Sequence, residues 1–358
     1  MAAYTTIDDP EAYFQTLVRS GTGTSTAFTF AGTTDMQPDV VWTKARDEAN
    51  GHHGLHDSVR GAGQWIRPDY AIAEESPVAD ALTAFGSDGF TMGADAGNYD
   101  FNESDDTYVD WCWKAGTTSG INTTGADTTP SGYSFNTTSN FSIIEYTGNT
   151  TAGHKIANGC SFGAPEFLII KNIETTGSFY VYHHLMSGSA AASATDYLFL
   201  NTTGAVSDHD TYLNDTVPTS VLLTLGDGAE TNGNSQTMMA YQWRGVQGYS
   251  KFGAYEGNGN ADGTFVYTGF RPAWIMTKSV DSTSDWHIFD NKREGYNVDN
   301  DPLACTGAVE ATTDMIDILS NGFKFRIATD PNVAETYIYA AFAEAPFVNS
   351  NGVPCNAR

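Results

Sequence analysis

YSKFGAYEGNGNADGTFVYTGFRPAWIMTK, running from Tyr249 to Lys278, has a grammar that the chain uses three times. An aromatic residue opens it, a glycine marks a turn, and a proline leads an apolar run that ends in lysine. Those parts are Tyr249, Gly257 and Pro272–Lys278 here, Phe141, Gly148 and Pro165–Lys171 before it, and Phe14, Gly21 and Pro38–Lys44 first. The runs read PDVVWTK, PEFLIIK and PAWIMTK. Each is followed by a second block (LHDSVR from Leu55, YVYHH from Tyr180, HIFDNKR from His287). A third block closes each copy: TYVDWCWKA from Thr107, TMMAYQWRG from Thr237, TYIYAAFAE from Thr336. The distance between successive prolines far exceeds the roughly 20–50 residues of solenoid repeats, so each copy is a domain-sized unit.

Segments such as AFTFAG (Ala27–Gly32), FSIIEYTG (Phe141–Gly148) and GFKFRI are short, rich in β-branched and aromatic residues, and bounded by Gly, Asn, Asp or Pro. That pattern predicts many short strands and an all-β chain, each copy a β-sandwich. The expected units are 1–115, 140–246 and 247–347, with a Thr/Ser/Gly/Asn-rich linker at 116–139 and an extended tail at 348–358 that could lie across a neighbouring subunit. In TYVDWCWKA, Val109, Trp111 and Trp113 face one way and Tyr108, Asp110 and Cys112 the other. Large groups on both faces predict a mid-sheet strand, one face against an opposing sheet and the other covered by loops or a neighbouring unit. Copies two and three, joined through Gly245–Gly248, are expected to pack on each other. Asp8-Asp9-Pro10-Glu11 predicts one helical turn, with acids at the positive end of its dipole. The lysine closing each apolar run is expected to lay its stem on apolar surface and keep its ammonium in water.

Seventeen basic residues against 43 acidic ones give a net charge of −26, which argues against nucleic acid, because phosphate binding needs Lys and Arg. MAAYTTIDDPEAYF has no basic or apolar signal region, and no run reaches the roughly 18 apolar residues of a membrane helix. A soluble chain without membrane insertion is expected. Cys112, Cys160, Cys305 and Cys355 occupy unrelated places in the copies and form no CxxC or CxxH pair, so free thiols in or near a core are expected.

No nucleophile elbow, P-loop or HExxH helix occurs. Glycoside hydrolysis needs only two carboxylates at a suitable separation, for which Asp299 and Asp301 are a candidate pair against the reading of a solvated turn. His52, His53 and His56 cluster after the first apolar run, and His183–His184 end a strand in copy two. Neighbours on a strand point to opposite faces and cannot both reach one ion. DAGNYDFNESDD concentrates oxygen ligands at Asp95, Asp100 and Asp105, and Asn258, Asn260 and Asp262 alternate in a glycine loop. Calcium is the one candidate cofactor these patterns support, against turns that use Asn, Asp and Gly for their backbone freedom. Among the tryptophans, Trp113 and Trp243 recur at one repeat position with Phe342 third, which reads as core. Trp65, in GAGQWIRPD beside Arg67, has no counterpart and is the candidate exposed contact for a glycan or other partner.

DPEAYFQT, GYSKFGAYEGNGNADGTFVYTGFRPAW, DILSNGFKFR and YIYAAFAEAPFVNSNGVPCNAR resemble a family of repeated domains found in virion proteins of marine bacteriophages. The resemblance spans nearly the whole chain. It implies jelly-roll, concanavalin-like sandwiches of the lectin and SPRY type, a virion location, and other virion proteins as partners, but no catalytic residues. The resulting expectation is a non-enzymatic tail-fibre or receptor-binding component, a homotrimer touching host-surface glycan. A capsid decoration protein and a glycan-degrading depolymerase are the alternatives. At seawater ionic strength a Debye length of roughly 4–5 Å screens most of the self-repulsion.

Overall fold

The computed structural model describes residues 3–48, 51–75, 80–95, 101–293, 297, 302–306 and 309–355. The first unit holds β1 (Phe14–Ser20), β2 (Thr26–Phe28), β3 (Val40–Ala45), β4 (His53–Asp57), β5 (Leu82–Gly86), β6 (Gly89–Met92) and β7 (Thr107–Trp113). The second holds β8 (Gly132–Asn136), β9 (Phe141–Thr147), β10 (His154–Ala157), β11 (Phe167–Asn172), β12 (Tyr180–His183), β13 (Asp196–Phe199), β14 (Ser207–Asp208), β15 (Leu222–Leu225) and β16 (Thr237–Trp243). The third holds β17 (Ser250–Glu256), β18 (Phe265–Tyr267), β19 (Phe270–Ser279), β20 (His287–Asp290), β21 (Leu303–Ala304), β22 (Ile316–Leu319), β23 (Gly322–Phe325) and β24 (Thr336–Pro346). Helix among the described residues is confined to short turns, one of them the expected Pro10–Ala12, where Asp9 caps the Glu11 N–H. Among the described residues no helix is long and apolar enough to cross a membrane.

One antiparallel strand order occurs in all three units: β1-β7-β3-β4, β9-β16-β11-β12 and β17-β24-β19-β20. A smaller sheet accompanies each, β2-β6-β5, β10-β15 and β18-β23-β22. Register fixes the equivalences. Val40, Phe167 and Trp274 lie opposite Trp113, Trp243 and Phe342, which makes these last three one position, as their recurrence indicated. Their first strands start at Phe14, Phe141 and Ser250, so Tyr249 stands one residue before the place its aromatic character suggested. The turn glycines after these strands are demanded by close approach. A Cβ on Gly21, Gly148 or Gly257 would sit 1.8, 2.4 or 1.9 Å from a backbone oxygen of the loop leading into the closing strand.

Each large sheet is buried on both faces. In the first unit Val41 and Cys112 join Leu82, Phe90 and Met92 of the small sheet, and in the third Ile275 and Tyr339 join Ile318 and Phe323. The opposite faces, carrying Val40, Trp42 and Trp111 of unit one and Trp274, Met276 and Phe342 of unit three, meet residues of unit two in one common core. Aromatic contacts tie it together. Trp113 meets Trp243 at 6.0 Å, Phe14 stacks on Phe342 at 5.3 Å, and Phe167 stacks on Phe252 at 5.8 Å. Trp111 and Trp113 thus point into this shared interior, while Tyr108 and Asp110 are buried on the sandwich side, where Asp110 pairs with Arg19 at 2.7 Å.

The units close a ring. The backbone N–H of Glu74 in unit one bonds Ile173 O in unit two, Val206 N–H bonds Val280 O in unit three, and Glu310 N–H returns to Arg46 O in unit one. Each acceptor lies two residues beyond the lysine of its apolar run. A second seam follows the same circuit. Tyr241 Oη donates to Asp57 (2.7 Å) and Trp111 Nε1 to Asp290 (3.0 Å), each carboxylate also bound by the arginine three residues on, Arg60 or Arg293. The third equivalent of these donors is Ala340, which has nothing to donate. There His183 replaces the aspartate and Met186 the arginine. The ring accepts the Leu185 N–H at Nδ1 and donates from Nε2 to Tyr339 O (3.3 Å).

Three expectations are corrected. Residues 116–139 are no loose linker: β8 pairs with β9 at the edge of the second sheet, Thr117 bridges Phe135, and Thr128 bridges Ile156. Polar composition misled because this strip covers other strands and needs few apolar residues of its own. The described part of the tail, 348–355, bonds its own chain, with Cys355 N–H bonding Phe347 O and Ser350 N–H bonding Asp8. The run-ending lysines are buried. Lys44 Nζ donates to Ala45 O and Gly51 O, Lys171 to Gly177 O, and Lys278 to Ser279 O and Thr203 O, so Lys44 and Lys171 tie down the loop that follows them and Lys278 holds a loop of unit two. Burial lowers the Lys171 and Lys278 ammonium groups to about 8. Cys112, Cys160 and Cys305 are buried free thiols, as expected, whereas Cys355, expected in or near a core like the others, is an exposed one.

Candidate functional site

Trp65, the expected exposed contact, is fully buried against Phe101 at 4.8 Å, with the Arg67 guanidinium 4.9 Å above its ring. A strand-like bridge to Glu75 turns its loop inward, and Arg67 itself lies near Glu75 at 3.8 Å. The pair fills the first sandwich and leaves no stacking face. The histidines are dispersed into packing roles. His53 Nδ1 accepts from Trp42 Nε1 (2.8 Å), so its Nε2 carries the proton and donates to Ala304 O of unit three (3.0 Å). His52 points the other way, to Asp69 (2.7 Å), and His56 to Gln64 O (3.2 Å). Burial pushes His53 down to about 4, and His56 and His183 to about 3.

Asp95 is buried and accepts the N–H groups of Phe101 and Asn102 (2.6 and 2.9 Å), while Asp105 is exposed in a left-handed turn. Asp100, Asp299 and Asp301 lie outside the described residues. Asn258, Asn260 and Asp262 do share one loop, but their oxygens face protein donors. Asn258 Oδ1 accepts the Asn260 N–H and Asn332 Nδ2, Asn260 Oδ1 accepts the Asp262 N–H, and Asp262 pairs with Lys324, which lowers its carboxyl further. Among the described residues no three His, Cys, Asp or Glu gather as a metal site.

That loop is one of three built alike, a device sequence reading missed. Asn102, Asn232 and Asn332 are completely buried. Each carboxamide oxygen accepts the N–H just after the turn glycine, at Thr22, Asn149 or Asn258. Each amide nitrogen donates to the carbonyl two residues later, at Thr24, Thr151 or Asn260. The residue between is left-handed every time: Gly23, Thr150, Gly259. An asparagine four or five residues before the threonine that opens the closing strand was the available signal.

Since recurrence marks the shared scaffold, function is sought where copies differ and the difference reaches solvent. Strand β18 answers both conditions. Phe265 and Tyr267 alternate with buried Val266, so both rings point outward, 46% and 48% exposed. The equivalent strand of copy one has small groups there, Ala27 and Thr29, both exposed around Phe28. A glycine beneath fixes this alignment: a Cβ on Gly89 would strike Phe28 O, and one on Gly322 would strike Val266 O. In copy two, Lys155 takes the first place, and Asp127 N–H bonds its carbonyl. Around Tyr267 the site is polar. Lys251 Nζ donates to its carbonyl (2.6 Å) and lies 5.4 Å from its ring, and Tyr4 Oη stands 3.3 Å from its hydroxyl. Burial, then Tyr267, raises Tyr4 to about 12, and burial lowers Lys251. The result is two flat aromatic surfaces edged by hydroxyls and an ammonium, which suits a ligand with alternating apolar and hydroxylated faces.

A family described as a domain of unknown function (DUF7483) matches residues 9–346. No curated protein and no solved structure matches the chain.

Proposed function

We propose that this chain, which belongs to the DUF7483 family, is a non-enzymatic virion surface component that contacts host-surface glycan through the Phe265–Tyr267 strip. The virion assignment is supported by the resemblance to repeated domains of marine bacteriophage structural proteins. Glycan contact is supported by one observation above all: the third copy places two exposed rings where the first has alanine and threonine. Pyranose rings stack on such surfaces through their C–H faces while their hydroxyls reach polar neighbours, here Tyr4 and Lys251.

Binding of purified host envelope polysaccharide, followed by saturation-transfer NMR, tests the glycan part. Phe265→Ala and Tyr267→Ala are each expected to weaken binding roughly fivefold to tenfold, the loss of an aromatic anchor of about 1 kcal/mol or more, with unchanged melting temperature. Undiminished saturation transfer in the double variant would sink the assignment, and release of free oligosaccharide would replace it with an enzyme. Immunogold labelling of particles tests location. Gold at the tail tip agrees with receptor contact, whereas gold over the head would make this a decoration protein.

A further inference from the structure

The three equivalent sheet edges meet their neighbouring units at three equivalent slots. In each slot a corner residue of the neighbour bonds back in the same way: Ser58 N–H to Asp39 O, His184 N–H to Glu166 O, Asn291 N–H to Ala273 O. Between β9 and the corner of unit one the slot is filled by β8. That strand pairs with β9 from Gly132 opposite Glu145 to Asn136 opposite Phe141, and its Ser134 Oγ donates to Asp39 (3.3 Å). Gly132 fits because a Cβ there would lie 2.9 Å from Val59. Between β17 and unit two the slot is narrowed by the His184 ring, whose Nε2 donates to Phe252 O (3.0 Å). Between β1 and unit three neither filling occurs among the described residues. A cleft of about 250 Å³ runs beside Gln15–Val18, bounded across the way by Ala273, Asn291 and Lys292. Two buried polar atoms in its lining, Thr16 Oγ1 and Asn291 Oδ1, have no hydrogen-bond partner. Strand β1 pairs on one side alone, with β7.

We propose that this cleft is a strand-acceptor site, which binds an extended segment of a second polypeptide antiparallel to β1, as β8 binds β9 within the molecule. Unpaired strand edges take up added strands through main-chain hydrogen bonds, and side-chain pockets then set the sequence. The register of β8 states that sequence. The residue opposite Val18 is small, as Gly132 is opposite Glu145. The residue opposite Thr16 carries a hydroxyl, as Ser134 does opposite Ile143, and donates to the unfilled Asn291 Oδ1. The residues between are aromatic, as Tyr133 and Phe135 are. Flanking lysines suit Glu11 at the mouth, which has no cationic partner among the described residues, and the net charge of −26; Glu344 is already held by Arg271.

The test uses the full chain and a fluorescein-labelled peptide of residues 131–137, SGYSFNT, extended by two lysines. Saturable anisotropy is expected, with amide shifts confined to residues 14–18. A peptide with the serine corresponding to Ser134 changed to alanine binds about tenfold more weakly, and one with proline there does not bind. Ala31→Trp, in an exposed loop at the cleft mouth, leaves the melting temperature unchanged and abolishes binding. Binding that survives Ala31→Trp would mean that the peptide exchanges with β8, and no binding at roughly 1 mM peptide would mean that the cleft accepts no strand; either overturns the proposal. Self-association in sedimentation that Ala31→Trp removes would make the occupant a second copy and overturn the assignment to a different chain.

Discussion

A single buried asparagine in each unit replaces what a longer turn sequence would otherwise supply. Asn332 satisfies the N–H of Asn258 and the carbonyls of Asn260 and Ile327, so Asn332→Ala strands three main-chain groups in the interior. The expected loss is on the order of 3 kcal/mol, read as a lower midpoint in urea, and Asn102→Ala and Asn232→Ala should match it. Calcium added after chelation is expected to leave the melting temperature unchanged, because Lys324 and Asn332 already answer the oxygens of the Asn258–Asp262 loop. Acid acts through the histidines. His53 and His183 have folded values near 4 and 3 against an ordinary 6.5, so between pH 6.5 and 4 the unfolded chain takes up protons that the folded chain refuses. Stability therefore falls as pH falls through that window, and His183→Gln should flatten the slope in thermal melts at pH 7, 6 and 5. Lys171 and Lys278 act at the alkaline side. Their lowered values mean that stability rises from pH 8 toward 10 as a buried charge is released.

At the level of strands, the sequence displayed period-two alternation clearly, and the faces assigned to Val109–Trp113 are those observed. It did not display what covers each face. Lys44, Lys171 and Lys278 look like surface residues because nothing local reveals the loop carbonyls that fold over them. Trp65 looked solitary and exposed for the same reason, its neighbour Phe101 lying far along the chain. Strand β8 was hidden by its polar composition, and the Phe265–Tyr267 strip by its likeness to any core strand. The third seam offers a sharp test of how strands are matched. His183→Asp places a carboxylate opposite Ala340, which cannot donate, and should cost about 3 kcal/mol or more. Met186→Arg added to it should restore much of that loss, since it recreates the Asp57–Arg60 pair. Equal stability of the single and double variants in urea melts would show that the seams are not interchangeable.

Across the whole molecule, the expectation that each copy is a domain-sized unit is half of the matter. Unit three buries Phe252, Trp274, Met276, Ile288, Ile338 and Phe342 against the other two units. At roughly 1.5–3 kcal/mol each, their exposure forfeits on the order of 10 kcal/mol, comparable with the total stability of about 5–15 kcal/mol typical of a domain. Residues 247–347 expressed alone should therefore give no cooperative thermal transition, whereas the full chain melts in one step. A sharp, independent transition for the excised unit would contradict the shared interior.

Joining the three units in one polypeptide frees them from sameness. In an assembly of identical subunits a substitution appears three times at once, and every seam must tolerate it together. Here Ala340 could lose its donor while His183 and Met186 adjusted opposite it, leaving the other two junctions untouched. By the same token the described residues of each chain present one aromatic strip of this kind and one such slot, so titrations should saturate at one equivalent per chain at either place.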